Sequence, residues 1–411
     1  MAHNPSLTAP QASDQLDEQE RRGPNRQLPL LTKGLCMLRV GIIGVGKMGL
    51  SHLSIINTHP NVRVVGLCDA SGYLLDVMNK YTGFDVFADY RVLLDQVKPD
   101  AVIIATPSRT HVEIARLALE RGIHVFVEKP FCLSIAEGRD LVALAASVKA
   151  VNQVGYHYRF VGAFQETKRL LERGVVGETH NFRVEAYGPV VLQRKGGTWR
   201  SNKSEGGGCL YDYASHAVNL VNHLFGMPSG VSGSVIHGVF SKGVDDEVYS
   251  TLYFSGGLSG QLCINWSDET HRKMSMRVEV WGKNGKINAD RQECQVYLRS
   301  GSFPDFKLVE GWNLRYATDL TQPVRYYVRG EEYSAQMDYF VDCIESGRLE
   351  NVNSFAAGLE TDVVLEMLQR DAEVGPRTTT GMVGEAEGRQ NGLRQWLVRR
   401  LAGGPNLQRA P

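Results

Sequence analysis

Apolar runs and helix-like stretches alternate along the first third of the chain. The runs cover 38–43, 62–68, 85–87, 101–105 and 124–127, and stretches with helical character at 73–81, 90–96, 110–121 and 134–147 separate or follow them. Runs that stay apolar are typical of strands covered on both faces of a parallel sheet. The order therefore predicts an α/β fold, with a doubly wound parallel sheet over residues 38–155.

The pattern changes in the remainder of the chain. After a predicted helix at 163–173, apolar and polar residues alternate along 179–187, 231–240, 247–254, 260–266 and 275–281. Such alternation predicts a largely antiparallel, mixed sheet with one covered face. Two late helices, 333–346 and 354–370, are expected to close this second α/β domain, which we place at 156–372.

Polar segments flank the two domains. Residues 1–37 have little apolar surface to bury and are predicted to form a disordered tail, either a dispensable extension or a regulatory arm. Residues 373–411 form a polar C-terminal tail. Within it, the spacing of Leu393, Trp396, Leu397 and Leu401 indicates a short amphipathic helix.

Charge and cysteine content narrow the class of protein. The 45 basic and 45 acidic residues give a formal net charge of zero, without the basic excess typical of nucleic-acid binding. No run approaches the roughly 18 apolar residues of a membrane span, and the N-terminus lacks the apolar region of a signal peptide. The seven cysteines are dispersed, which is typical of reduced thiols. We expect a cytoplasmic protein with neither a nucleic-acid nor a membrane partner.

A glycine-rich turn directly follows the first apolar run. It reads Gly44-Val45-Gly46-Lys47-Met48-Gly49 and has the G-x-G-x-x-G spacing that allows a tight turn, a close approach to a pyrophosphate and close helix packing. The second run ends in Asp69, twenty residues past Gly49, where a carboxylate can accept hydrogen bonds from ribose hydroxyls. A turn without a ligand is the alternative. The combination of strand, turn, helix and Asp69 favours a dinucleotide site.

Asp69 also bears on the choice of dinucleotide. Its carboxylate would repel a 2′-phosphate, and no arginine follows it in Ala70-Ser71-Gly72-Tyr73. The sequence therefore favours NAD over NADP.

Two further predicted strands end in polar residues. The run 101–105 is followed by Thr106-Pro107-Ser108-Arg109-Thr110-His111, and the run 124–127 by Glu128-Lys129-Pro130. Ligands of open α/β sheets bind at the carboxyl ends of the strands. Since a proline restricts the residue before it to extended backbone, Lys129 is held in one direction. We expect Lys129 to act in catalysis or substrate binding rather than as a solvated surface lysine.

A second constellation lies near residue 210. Gly206-Gly207-Gly208 is expected to be a flexible entry to a helix that carries Asp212 and His216 four residues apart, on one face. An imidazole beside a carboxylate can serve as a general base, and a helix cap with a structural histidine is the alternative. No third ligand accompanies the two side chains, so no metal site is predicted.

Together these elements resemble the Gfo/Idh/MocA family of NAD(P)-dependent oxidoreductases over about 38–370. The resemblance is carried by the glycine-rich turn, by Ala105-Thr106-Pro107 with His111, by Glu128-Lys129-Pro130, and by Gly206-Gly207-Gly208 with Asp212 and His216. It implies a Rossmann domain followed by a substrate-binding and oligomerisation domain, whose open-faced sheet pairs subunits into homodimers or homotetramers.

The resemblance also implies roles for single residues. Lys129, Asp212 and His216 correspond to the family's catalytic residues. The turn 44–49 and Asp69 correspond to cofactor positions, with Thr106, Pro107, His111 and Glu128 near the nicotinamide ribose. Tyr158 and Arg159 are expected to face the pocket.

The function expected is hydride transfer between NAD and a secondary alcohol or ketone of a sugar. The segment 193–203 carries four cations around Trp199, among them Arg200, and could bind a nucleotide-linked sugar. A solvated basic loop is the alternative, which favours a free sugar or an inositol. A non-catalytic NAD-binding sugar sensor is the alternative of another class.

Overall fold

The computed structural model describes residues 37–190 and 199–375. The predicted N-terminal tail up to residue 36, the C-terminal tail from 376 with its amphipathic segment, and residues 191–198 of the basic loop lie outside the described residues.

A six-stranded parallel sheet occupies the first part. Its strands are β1 (Leu38–Ile43), β2 (Val62–Cys68), β3 (Val86–Phe87), β4 (Ala101–Ile104), β5 (His124–Val127) and β6 (Asn152–Val154). The strand order is β3-β2-β1-β4-β5-β6, and every neighbouring pair is parallel. The order reverses between β1 and β4, and a crevice at such a reversal is where doubly wound sheets bind ligands. The predicted fold class is confirmed.

Five helices connect these strands. They are α1 (Lys47–Ile56), α2 (Gly72–Thr82), α3 (Tyr90–Val97), α4 (His111–Leu119) and α5 (Ile135–Val148). Side chains of Ser71, Asp89 and Ser134 accept hydrogen bonds from the first turns of α2, α3 and α5, which satisfies backbone donors that the helix itself leaves free. All four residues of β4 are buried, so the sheet is covered on both faces there, as the apolar runs predict.

The second sheet has eight strands. After α6 (Gly162–Glu172) and β7 (Thr179–Tyr187) come α7 (Ser215–Phe225), β8 (Gly230–His237), β9 (Glu247–Tyr253), β10 (Ser259–Asn265), β11 (Ser275–Gly282), β12 (Gly285–Ala289), β13 (Glu293–Leu298) and β14 (Gly311–Tyr316). The order is β14-β13-β12-β11-β7-β10-β9-β8, with β7 and β10 parallel and the other neighbours antiparallel.

Four of the strands lie outside those predicted from the sequence, namely β6 and β12 to β14. They have three to six residues, and β11, β12 and β13 are joined by short turns. The three residues of β6 are too few to show a period, whereas β12 and β13 do alternate buried and half-buried positions, a strand signal that the sequence prediction missed.

Within the described residues, the last helices are α8 (Ala317–Leu320), α9 (Glu331–Glu345) and α10 (Phe355–Val374). Although α9 follows the second sheet in sequence, its apolar residues Met337, Phe340 and Val341 join the core of the first sheet beside Ile42 and Phe126. In contrast, α10 contributes Val364, Leu365 and Leu368 to the core of the second sheet. The chain end therefore connects both sheets rather than closing the second domain alone.

Candidate functional site

The glycine-rich turn lies at the carboxyl end of β1, where each glycine meets a different demand. Gly44 has φ +92°, and a Cβ there would lie 2.7 Å from the backbone of Ala105. A Cβ on Gly49 would lie 1.8 Å from the Gly44 carbonyl oxygen. A Cβ on the exposed Gly46 would meet no protein atom within 4 Å. The first and third glycines thus serve the fold, and the second opens a space for a ligand.

Asp69 reaches across to this turn from the end of β2. Its Oδ2 accepts the Val45 amide at 2.8 Å and its Oδ1 accepts the Ser71 amide at 2.8 Å. A carboxylate can accept about four hydrogen bonds, so lone pairs stay available for ribose hydroxyls. Of the remaining turn residues, Lys47 is exposed at the start of α1, whereas Met48 is half-buried against the sheet.

Lys129 and Asp212 meet in the space between the two sheets. Lys129 Nζ donates to Asp212 Oδ1 at 2.6 Å and to the Asp212 carbonyl oxygen at 2.9 Å. Arg200 Nε donates to the other carboxylate oxygen, Oδ2, at 2.7 Å. Burial would raise the pKa of Asp212, but the Lys129 and Arg200 cations outweigh burial and bring it to about 2. One carboxylate therefore holds two cations, and the cluster carries a net positive charge.

His216 lies one turn further along. Asp212 belongs to a short π-helical turn (Leu210–Ala214), and His216 follows in the first turn of α7. Burial, and secondly the Lys129 cation, hold the pKa of His216 well below its ordinary value. Its Nδ1 is buried and has no hydrogen-bond partner among the described residues. The imidazole is consequently neutral at neutral pH and can accept a proton.

Two family models match this chain. One describes the Gfo/Idh/MocA oxidoreductase family with an NAD-binding Rossmann fold and matches residues 38–156, and the other describes the Gfo/Idh/MocA C-terminal domain and matches residues 164–288. The chain belongs to the Gfo/Idh/MocA oxidoreductase family. The predicted family and the NAD-binding class of the first domain are thereby confirmed.

The relatives of this Gfo/Idh/MocA protein include dehydrogenases named for sugars and for an inositol. D-glucoside 3-dehydrogenase of Escherichia coli strain K12 is 30% identical over 47% of this chain and 55% of its own length, so the chain spans about half of that relative. The NAD⁺-dependent scyllo-inositol 2-dehydrogenase of Bacillus subtilis strain 168 is 24% identical over 79% of this chain and 92% of its own length. A solved levoglucosan dehydrogenase, in complex with NADH and L-sorbose, shares the fold with a TM-score of 0.73 at 24% identity, over 82% of this chain and 97% of that one.

The residues present fit NAD as the family's dinucleotide. Helix α1 begins directly after Gly46, and no side chain caps its first turn. Gly46 leaves open space beside this helix start. Backbone amides at an uncapped helix start favour phosphate oxygens. The Asp69 carboxylate lies in the position that suits the two free hydroxyls of an unphosphorylated ribose.

The segment after β4 contains Thr106, Pro107 and His111, which the sequence predicts to lie near the cofactor. Thr106 is half-buried and its hydroxyl accepts a hydrogen bond from Thr110 at 2.8 Å, and Pro107 is exposed. His111 is buried, with Nδ1 2.9 Å from the Pro130 carbonyl oxygen and Nε2 3.0 Å from the Thr106 carbonyl oxygen. His111 thus lies between the backbone segments that follow β4 and β5.

Tyr158 and Arg159, both assigned to the pocket from the sequence, lie in different surroundings. The Tyr158 ring is buried at 5.3 Å from the His216 ring. The Arg159 guanidinium, also buried, donates to Asn219 Oδ1 at 2.7 Å and to the Val352 carbonyl oxygen. Arg159 therefore ties α7 to the segment before α10, which accounts for its burial without a substrate.

The glycines 206–208 are closely packed instead of forming a flexible entry. A Cβ on Gly207 would lie 2.5 Å from the Arg200 carbonyl oxygen and 2.6 Å from that of Trp199, and one on Gly208 would lie 2.4 Å from the Asp245 carboxylate. The glycines let the loop that carries Trp199 and Arg200 lie directly against the turn that leads to Asp212. Within that loop, the Arg200 guanidinium stacks over the Trp199 ring at 4.7 Å.

Two residues near His216 were not predicted as site residues from the sequence. The His157 ring lies 4.8 Å from the His216 ring and stacks at 4.3 Å on Tyr333, at the start of α9. Burial, followed by the neighbouring His216 and then by nearby arginine and lysine cations, holds the pKa of His157 well below its ordinary value. His157 adjoins a predicted segment and could have been found there, whereas Tyr333 comes from a remote helix without any motif.

Two negative findings concern the described part of the chain. No group of three or more His, Cys, Asp or Glu side chains there is placed to hold a metal ion. No helix within it combines the length and the apolar character needed to cross a membrane.

Proposed function

We propose that this protein is an NAD-dependent oxidoreductase that moves a hydride between nicotinamide and a secondary alcohol or ketone of a sugar. The observation that carries the proposal is the cluster of Lys129, Asp212 and the neutral, buried His216 facing the carboxyl ends of the Rossmann strands. Bound NAD would supply the hydride acceptor.

The side chains divide the chemistry between them. His216 Nε2 accepts the hydroxyl proton, because its imidazole is neutral. Lys129 has three ammonium protons, of which the described residues engage two, so the third can bind the substrate oxygen and stabilise its developing negative charge. Asp212 is engaged by Lys129 and Arg200, and it acts by holding the lysine in place.

A nucleotide-linked sugar is the first substrate class to test. The Arg200 side chain is 42% exposed while its Nε is bound to Asp212, so it can offer its remaining N–H groups to a phosphate or carboxylate. Free sugars and inositols form the second class, in line with the named substrates of the dehydrogenases that this chain resembles.

The test is formation of NADH, or of NADPH from NADP, across nucleotide-linked sugars, free sugars and inositols. We expect NAD to be reduced with at least one member and NADP to be the poorer cofactor. Tight NAD binding without reduction by any member of the panel would contradict the enzyme and support a sugar sensor. A higher rate with NADP would contradict the role of Asp69.

We further infer that the uncovered face of the eight-stranded sheet pairs two copies of the chain. Along β14 the side chains of Trp312, Leu314 and Tyr316 are about half exposed or more, and exposed apolar patches of this kind mark interaction surfaces. Light scattering of the full chain should give a dimer or tetramer, and Trp312→Glu should lower that mass. A monomeric wild-type protein would contradict this pairing.

A further inference from the structure

A buried acid–histidine pair lies behind the lysine of the site and takes no part in the proposed reaction. His52 Nε2 and Glu128 Oε1 are 2.6 Å apart, and their side chains are 0% and 11% exposed. His52 belongs to α1, three residues past Gly49 of the dinucleotide turn. Glu128 directly precedes Lys129 at the end of β5. The pair therefore joins the element that binds the cofactor to the element that bears the lysine.

The surroundings hold both side chains in place. The His52 ring packs edge-on against Phe126 of β5 at 5.2 Å between centroids. The second Glu128 oxygen, Oε2, accepts the Lys129 amide at 3.2 Å. A Cβ on Gly155 would lie 3.1 Å from the Glu128 carboxylate, so this glycine closes over the pair. The backbone of Lys129 is thus tied through Glu128 to His52.

The ionised state of the Glu128 carboxylate depends on its hydrogen bond with His52. Burial would raise the pKa of Glu128, but the hydrogen bond from His52 is the largest opposing influence, and the pKa lies below its ordinary value. An ionised carboxylate only accepts hydrogen bonds, so His52 Nε2 donates. Without that donor, the buried Glu128 anion would keep only one long backbone hydrogen bond and the attraction of the Lys129 cation, which favours its moving or taking up a proton.

We propose that His52 is a positioning residue for Lys129: by donating to Glu128 it fixes the end of β5 where the lysine reaches Asp212. This inference rests on the proposed function, in which Lys129 binds the reacting oxygen. The Lys129 Nζ–Asp212 Oδ1 distance of 2.6 Å leaves little slack. A displacement of about 1 Å at a reacting group can cost about 100-fold in rate.

The first test compares His52→Leu with His52→Gln. Leucine removes the donor, whereas the glutamine amide can still donate to Glu128. With a substrate identified from the panel, we expect His52→Leu to lower kcat about 10- to 100-fold and to change the Kd of NAD less than about threefold, since the glycine turn is untouched. His52→Gln should recover kcat to within about fivefold of wild type. A kcat of His52→Leu within about threefold of wild type would overturn the proposal.

A second test separates positioning from mere stability. His52→Leu alone should lower the melting temperature, because it leaves the Glu128 carboxylate buried without its donor. The double variant His52→Leu/Glu128→Leu removes the carboxylate as well and should restore the melting temperature. We expect kcat to stay low in this double variant, and full recovery of kcat would overturn the proposal.

A crystal structure of His52→Leu without cofactor gives a readout independent of turnover. We expect Lys129 Nζ to leave Asp212 Oδ1, and an unchanged distance would contradict the proposal. If the wild-type protein shows no turnover, the proposed function fails, whereas this distance still decides the positioning role.

Discussion

The buried carboxyl group of Asp362 should make the stability of the fold depend on pH. Asp362 lies on α10 and is 4% exposed. Its Oδ2 accepts the Cys132 amide at 2.9 Å, three residues past Lys129, and its Oδ1 has no hydrogen-bond partner among the described residues. Burial raises the pKa of Asp362 from an ordinary 3.8 to about 7. The perturbation we choose is Asp362→Asn, which keeps an acceptor for Cys132 and removes the charge.

The size of the effect follows from proton linkage. Between about pH 4 and pH 7 the folded protein holds a proton on Asp362 that the unfolded chain has lost, so the free energy of unfolding falls as pH rises through this window. A pKa raised by about 3 corresponds to a loss of about 4 kcal/mol in the free energy of unfolding, and this loss is fully present above about pH 7. Asparagine does not ionise, so its advantage should grow by about 3 kcal/mol between pH 5 and pH 8.

Urea unfolding followed by tryptophan fluorescence at several pH values measures this difference. Asp140→Asn, an exposed aspartate on the neighbouring α5, is the matched control and should show little change. The reasoning is refuted if the Asp362→Asn advantage is the same at pH 5 and pH 8, or if the variant is less stable than wild type at pH 8.

Three further predictions concern other parts of the molecule. Gly46→Ala should leave the melting temperature unchanged and weaken NAD binding at least about tenfold in a fluorescence titration, since its Cβ meets no protein atom but fills the ligand space. Gly72→Ala, equally unhindered, is the control. Because the pKa of Asp212 in the folded protein lies below its ordinary value, wild type should lose about 2 kcal/mol of unfolding free energy as pH falls from about 5 to 2. Asp212→Asn should lack this loss when urea unfolding is measured at the two pH values. Arg159→Met should cost about 3 kcal/mol of unfolding free energy while KM stays unchanged. An unchanged NAD affinity of Gly46→Ala would contradict the first expectation. The second is contradicted if Asp212→Asn loses as much stability in acid as wild type, and the third if Arg159→Met has a raised KM.

The predicted cofactor turn, Asp69 and Lys129 follow from strand ends, whereas Asp212 and His216 follow from their spacing on a helix. Gly46, Asp69 and Lys129 lie within three residues of the ends of apolar runs, and the carboxyl ends of parallel strands meet at one edge of the sheet. The fold class is predicted for the same reason, because periodicity distinguishes parallel from antiparallel strands without knowledge of their pairing.

Contacts made by loops and by helices remote in sequence cannot be predicted from strand ends or periodicity. The pairing of Arg200 with Asp212 depends on how a loop lies against Gly207, and the stacking of Tyr333 on His157 depends on where α9 returns to the first sheet. The spacing of Asp212 and His216 predicts that they share a helix face, but Lys129 and Arg200 engage the carboxylate instead. Long-range packing, not local pattern, decides these contacts.

The central claim is that Lys129 stabilises the reacting oxygen of a sugar during hydride transfer. The most direct test is the rate of NAD reduction by Lys129→Ala, with Lys273→Ala, an exposed lysine, as control. Lys129→Ala should still bind NAD and lose about 100- to 1,000-fold in kcat, and the control should match wild type. A kcat for Lys129→Ala within about threefold of the control would contradict the account.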